Sequence, residues 1–382
     1  MGSRGVHGPL PNDRQRLLLT AALRRDEVAR DAARAWDEQL DLDALDDASA
    51  RLVPLLGSNL KRLGLDGAEA RRIRGIQRYF WSQNQLHLRH CREVAQTLAR
   101  QEIPVIALKG IPLAVAYYDD IGLRPMSDID LLVPTARTEA AVSALVAAGY
   151  SAKAGEEPQW RDGCIATSLQ HGAGFVDGSG RECDLHWHML NDCLGDADDA
   201  AFWSRARSHE VHGFPVLFPS PEDLLLHVCA HGIRANAFPP IRWVADAAVV
   251  LRFPGLDWET FLAEAERRLL GPTLLLAFRT LDEILEPDAV PPAVIERLSR
   301  LPAPWYARSE VRLRQRTVAY RYTPVGRLCE LQRRHPSAGP LRLARTAPAF
   351  LMEIWNLDRP RKLPLEFGRR LLAPRPGGVR ET

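Results

Sequence analysis

The sequence predicts an α/β chain: a mixed sheet over residues 101–192, a helical N-terminal lobe at 1–100, a helical C-terminal lobe at 193–358 and an Arg/Pro/Gly-rich tail at 359–382. Three observations predict it. Apolar residues before position 100 recur at spacings of three, four and seven, the period of a helix buried on one face. Between 103 and 190, short β-branched runs that end in turn residues alternate with a helical stretch. From Pro221 onward the helical spacing returns.

Taken in order, Leu17 to Trp36 reads as one helix, and Ala44 to Leu56 and Gly57 to Leu65 as shorter ones. A longer helix carries Ile73, Ile76, Phe80, His87, Cys91, Val94 and Leu98. The run Ile103-Pro-Val-Ile-Ala-Leu108 is a buried strand meeting a turn at Lys109-Gly110. Ile111 to Tyr118 has the length of two helical turns. A loop from Asp119 to Ser127 leads into a second strand, Asp128 to Val133. Thr135 is placed to cap a helix from Ala136 to Ala148 that stops at Gly149. Ile165 to Gln170, Gly172 to Val176 and Glu182 to Met189 suit paired strands, with Asp177-Gly-Ser-Gly180 as the turn signal. Helices follow from Pro221, over Ile241 to Leu251, Trp258 to Leu270 and Pro272 to Leu285, after which prolines cut the chain into short pieces. No internal repeat is present.

A chain of 382 residues exceeds one ordinary domain. With 46% hydrophobic and 26% charged residues, it belongs with globular proteins rather than with disordered or fibrous ones. No apolar run approaches the roughly 20 residues of a bilayer span, and MGSRGVHGPLPNDRQR lacks an apolar signal core. A cytoplasmic location is expected, with no membrane partner. Fifty basic residues against 48 acidic ones leave a formal charge of +2, too little for a strong unspecific pull toward nucleic acid. Lys occurs only at 61, 109, 153 and 362, so each lysine stands out against the arginine background. The six cysteines form no CxxC pair and read as free thiols.

The chemistry concentrates in three pieces: Leu108-Lys109-Gly110, Arg124-Pro-Met-Ser127-Asp128-Ile-Asp130-Leu-Leu-Val133 and Glu182-Cys-Asp184-Leu-His186-Trp187. Alternate side chains of a strand share a face, so Asp128 and Asp130 point one way and Ile129 and Leu131 the other. Asp184, on a later strand with Leu185 behind it, can complete a set of three carboxylates. Such a set suits Mg2+, or Mn2+, in phosphoryl or nucleotidyl transfer. Gly110 lets backbone approach phosphate oxygens, and Lys109 and Arg124 offer positive charge to a leaving pyrophosphate. A DxD on a solvated strand end is ordinary. On a strand as apolar as Leu131-Leu-Val133 it is not, because buried carboxylates need partners.

The stretch VIALKGIPLAVAYYDDIGLRPMSDIDLLV at 105–133 resembles the core of the uncharacterised nucleotidyltransferase family found in bacteria, within the DNA polymerase β-like superfamily. The likeness continues through CDLHWHML at 183–190 and, more loosely, over 224–252. It implies that Gly110 is the turn glycine and that Asp128 and Asp130 bind the metal. Asp184 is then the third carboxylate, acting as base or orienter for the acceptor hydroxyl, and Ser127 offers a phosphate contact. Lys109-Gly110 is similar to the KGG turn of toxin-type members, but Ile111 stands where a small residue is expected, which removes one contact to the phosphates. The expected activity is Mg2+-dependent transfer of a nucleoside monophosphate from an NTP to an unidentified acceptor: a small molecule, a protein or an RNA.

A rival set is histidine-rich. Asp184, His186 and His188 alternate along one strand, and His227 and His231 stand four apart on a helix, the spacing of a helical metal pair. A metal hydrolase, pocket-shaping histidines and ordinary packed histidines are all compatible with that spacing. Arg242 and Asp246, also four apart, suit either a surface ion pair or the rim of a nucleotide pocket. A non-catalytic nucleotide-binding module and a toxin-like enzyme acting on tRNA complete the alternatives. No GxSxG, GxGxxG or Walker motif occurs.

Overall fold

The computed structural model describes residues 9–37, 42–65, 69–191, 193–194, 199–233, 241–316, 323–335, 338–355 and 357–372. The N-terminal helices are α1 (Asp13–Leu23), α2 (Glu27–Asp37), α3 (Asp47–Ala50), α4 (Val53–Arg62) and the 30-residue α5 (Ala70–Ala99). The single helix expected from Leu17 to Trp36 is broken at Arg24. There Asn59 of α4 donates to the carbonyls of both Ala21 and Arg24 at 2.7 Å, taking over helix-end acceptors.

The sheet then begins. Its strands are β1 (Ile106–Leu108), β2 (Ile129–Leu132), β3 (Ser151–Ala152), β6 (Gly172–Val176), β7 (Glu182–His186), β8 (Arg207–Val211) and β9 (Phe214–Phe218). A separate short pair is formed by β4 (Trp160–Arg161) and β5 (Cys164–Ile165). The seven-stranded order is β3-β6-β7-β2-β1-β9-β8. It is a mixed sheet, as expected, with β2 parallel to β7 and β1 parallel to β9, and the other pairs antiparallel. The sequence reading ends the sheet by 192. The structure adds β8 and β9 beyond it, where four of the five β8 residues are solvated and so carry no apolar signal. The Asp177–Gly180 turn does join β6 to β7, with Asp177 Oδ1 accepting from the Ser179 and Arg181 amides.

Helices α6 (Gly110–Ala116) and α7 (Thr138–Ala147) lie between these strands. Thr135 does not cap α7; its hydroxyl donates to the Trp187 carbonyl at 3.0 Å, tying the end of β2 to the end of β7. After α8 (Ala200–Arg205) and the β8–β9 hairpin come α9 (Pro221–Gly232), α10 (Arg242–Leu251), α11 (Trp258–Arg267) and α12 (Gly271–Ile284). They are followed by α13 (Pro292–Arg300), α14 (Trp305–Arg316), α15 (Pro324–Arg334), α16 (Pro340–Ile354) and α17 (Leu363–Leu372). Helix α17 occupies part of the expected tail; 373–382 lie outside the described residues. No described helix is long and apolar enough to cross a membrane.

Both faces of the sheet are covered. Ala107, Ile129, Leu131, Cys183 and Leu185 pack on Leu88, Cys91 and Val94 of α5 and on Ala141, Val142 and Leu145 of α7. Ile106, Leu108 and Leu132, on the opposite face, join the core built from α1, α9, α10 and α12. This second face also carries the carboxylates.

Candidate active site

The strand register sets the site. Leu108 is opposite Asp130, Asp130 opposite Asp184 and Asp184 opposite Gly174, so the two carboxylates stand side by side across β2 and β7. One step along, Leu132, His186 and Gly172 form the next row on the same face. The glycines matter here for closeness. A Cβ on Gly172 would come within 2.7 Å of the Leu185 carbonyl and 3.0 Å of His186 Cα. One on Gly174 would strike the Lys153 and Glu156 side chains, which fold over that strand. Neither glycine was marked by the sequence reading, although GxG opposite DxH is a visible pattern once the two strands are paired.

Asp130 is nearly inaccessible and is held from two directions. The Lys109 ammonium lies in ion-pair contact with its Oδ1, and His186 Nε2 is 3.0 Å from the same oxygen. Burial alone would raise this carboxyl; Lys109 and His186 outweigh it and hold the group far below the ordinary carboxylate range. Lys109 is aimed by its backbone, which takes φ 48°, a left-handed conformation unfavourable for a residue with a Cβ. Gly110 follows in close contact with the loop, since a Cβ there would sit 2.8 Å from Met126 Sδ and 3.2 Å from Arg124 Nη1.

Asp184 is the complement of Asp130. Burial, reinforced by the negative charges of Asp130 and Asp128, pushes it up to about 7. Its Oδ1 is buried without a hydrogen-bond partner among the described residues. Asp130, Asp184 and His186 each offer a ligand atom, and these atoms lie within 4.8 Å of one another, the spacing of donors around one ion. A divalent cation fits this set, because it would supply the partner that the Asp184 oxygen lacks. Asp128 stands just before β2, half-buried, with Ser127 Oγ 3.3 Å from its Oδ1. It is outside the three-residue cluster, although its charge is felt at Asp184. Ser127 is exposed and lines a cleft of about 590 Å3 together with Gln83, Leu86, His87 and Glu182.

Arg124 does not face that cleft. Its guanidinium makes a bidentate pair with Asp246 of α10, at 2.8 and 2.9 Å, and both residues are buried. Tyr118 donates to the same carboxylate at 2.9 Å, and Arg242 donates to the Pro125 carbonyl at 2.5 Å. Burial and the adjacent Arg124 charge pull Arg242 down to about 10. Asn84 of α5, fully buried, donates to the carbonyls of Ile121 and Arg124 at 2.5 and 2.8 Å and accepts from the Met126 amide at 3.2 Å. The loop carrying Ser127 and Asp128 is therefore bolted to α5 on one side and α10 on the other. Asn84 was overlooked in the sequence, where it interrupts the apolar stripe Ile73, Phe80, His87, Cys91.

The histidines divide. His186 joins the carboxylates. His188 is fully buried elsewhere, with Nε2 3.1 Å from the Thr167 carbonyl and Nδ1 3.7 Å from Asp199, which in turn pairs with Arg268. His227, buried, and His231, half-buried, meet edge to face at 5.8 Å on α9. Among the described residues neither belongs to a group of three metal-binding side chains. Trp243 is buried in the core.

Comparison with known proteins yields three findings. The model of a family described as uncharacterised nucleotidyltransferase matches residues 42–286. No curated protein matches the chain. Among solved structures, an antigenic nucleotidyltransferase-like protein from Paracoccidioides brasiliensis is similar at 14% identity with a TM-score of 0.34, over 57% of this chain and 94% of that one.

Proposed function

The chain belongs to the uncharacterised nucleotidyltransferase family, and from that membership we propose that it transfers a nucleoside monophosphate from an NTP to an acceptor hydroxyl, with release of pyrophosphate. The observation that carries this reading is the Asp130–Asp184 pair across two parallel strands, one carboxylate ionised and charge-balanced, the other with a buried oxygen awaiting a partner. A divalent ion, Mg2+ or Mn2+, on these carboxylates would neutralise triphosphate oxygens and acidify the acceptor hydroxyl. The chain's own residues do the rest. Lys109, beside Gly110, presents positive charge to the phosphates. Asp184 orients the acceptor oxygen and takes its proton. A bond forms from that oxygen to the α-phosphorus, and the bond from the α-phosphorus to the bridging oxygen breaks, leaving pyrophosphate. In this reading Arg124, Arg242 and Asp246 position the loop rather than touch the nucleotide, and His188, His227 and His231 pack the fold. The protein would act in the cytoplasm.

Calorimetric titration of each of the four NTPs with Mg2+ tests the proposal, on wild type and on Asp130→Asn. One NTP should bind in a metal-dependent way and lose at least about tenfold in affinity in the variant. Equal, metal-independent binding in both proteins would refute it.

A further inference from the structure

The ligand set itself discriminates between metals. Asp130 and Asp184 supply two negative charges to the donor set, Asp128 adds its charge from just outside it, and Lys109 cancels one charge at Asp130 Oδ1. Affinity for a hard cation follows the charge its ligands bring, so this centre is poorly provided for Mg2+, which gains little from a nitrogen donor. The third donor is an imidazole. His186 Nε2 is 3.0 Å from Asp130 Oδ1; two ligands bonded at about 2.1 Å to one octahedral ion stand about 3 Å apart along the shared edge. His186 lies on the same strand face as Asp184, on the neighbouring row, and its ring is fixed by the T-shaped contact with His171 at 4.9 Å. Asp184 is half-buried and the Lys109 side chain is partly exposed.

We propose that the centre is a mixed carboxylate–imidazole site, Asp130–Asp184–His186, selective for a first-row transition ion of the Mn2+ type over Mg2+. Imidazole nitrogen is a favourable ligand for such ions, and it compensates for the carboxylate charge that Lys109 removes. His186 thereby acts as the residue that sets metal choice. The inference rests on the reading that Asp130 and Asp184 hold a metal, and goes beyond it in the third ligand and the ion.

Pulsed electron paramagnetic resonance on the wild-type protein with Mn2+ alone is the direct test. The echo should be modulated by a directly bound 14N nucleus, and the modulation should change when histidine carries 15N. Mg2+ should displace the ion only at roughly a hundredfold excess or more. His186→Gln, checked for an unchanged circular dichroism spectrum, should lose the nitrogen modulation and reduce the Mn2+ preference about tenfold. Mn2+ bound without nitrogen coupling, or displaced by equimolar Mg2+, overturns the inference and leaves the carboxylate metal site standing. No stoichiometric Mn2+ binding at all overturns both.

Discussion

The Arg124–Asp246 pair yields the sharpest test of how the site is supported. Arg124 is 3% exposed and Asp246 5%, and their bidentate contact joins the Asp128 loop to α10 across 122 positions of sequence. Removing one member of a buried pair strands the other charge, at about 3–5 kcal/mol. Arg124→Met leaves Asp246 with the Tyr118 hydroxyl and with Arg242 at 3.9 Å, a partial replacement. The lower end, about 3 kcal/mol, is therefore expected. Asp246→Leu strands Arg124 beside Arg242 and should cost about 4 kcal/mol. In the double variant no charge is stranded within the pair, so the combined loss should fall short of the sum by about 2 kcal/mol. Equilibrium urea unfolding followed by circular dichroism and tryptophan fluorescence measures all three. Nucleotide affinity in folded Arg124→Met should stay within a few-fold of wild type. A variant of native stability that has lost nucleotide binding would refute the reasoning and return Arg124 to the phosphates.

Two further outcomes are expected. Asn84→Ala deletes three hydrogen bonds to the buried 121–126 backbone, so it should destabilise the protein by about 2–3 kcal/mol and accelerate amide exchange at Met126, and unchanged exchange there would count against the clamp. Burial, helped by Arg181, pushes the His90 imidazole down to about 4 from its ordinary 6.5, while Nε2 keeps a 2.8 Å contact with the Tyr150 hydroxyl. Between those two pH values the unfolded chain binds a proton that the folded chain refuses, so stability is whole above about 6.5 and falls as the solution is acidified toward 4. The share due to His90 is about 3 kcal/mol. His90→Gln should flatten that slope when melts are recorded from pH 4 to 8, and a slope identical to wild type would contradict it.

How much of this was visible beforehand depends on whether the signal was local. The β1 turn at Lys109-Gly110, the β2 strand with Asp130 and the Asp177–Gly180 turn were readable because strand alternation and turn chemistry act over a few residues. That His186 would join Asp130 while His188 went to Asp199 was not, since both lie on the same side of an alternating pattern and only β7's position against β2 separates them. Arg124 looked like a substrate contact because a loop arginine between two motifs carries no sign of a partner on a distant helix. The β8–β9 hairpin was missed for the reverse reason, its first strand being solvated almost throughout. The break at Arg24 has no Gly or Pro to announce it; it is made by Asn59, 35 positions later.

The position of β1 has a consequence for how the molecule comes into being. This three-residue strand is bracketed by β2 on one side and by β9 on the other, through Ile106 and Leu217. A chain still emerging from the ribosome at residue 192 would already hold both carboxylate strands yet present β1 as a naked edge, ready to pair with a neighbouring copy. Its Arg124 would lack Asp246, which had not been synthesised. The same is true of any excised fragment that stops there. The candidate carboxylates lie in the first half of the protein, but the strand that covers the β1 edge arrives only with the second.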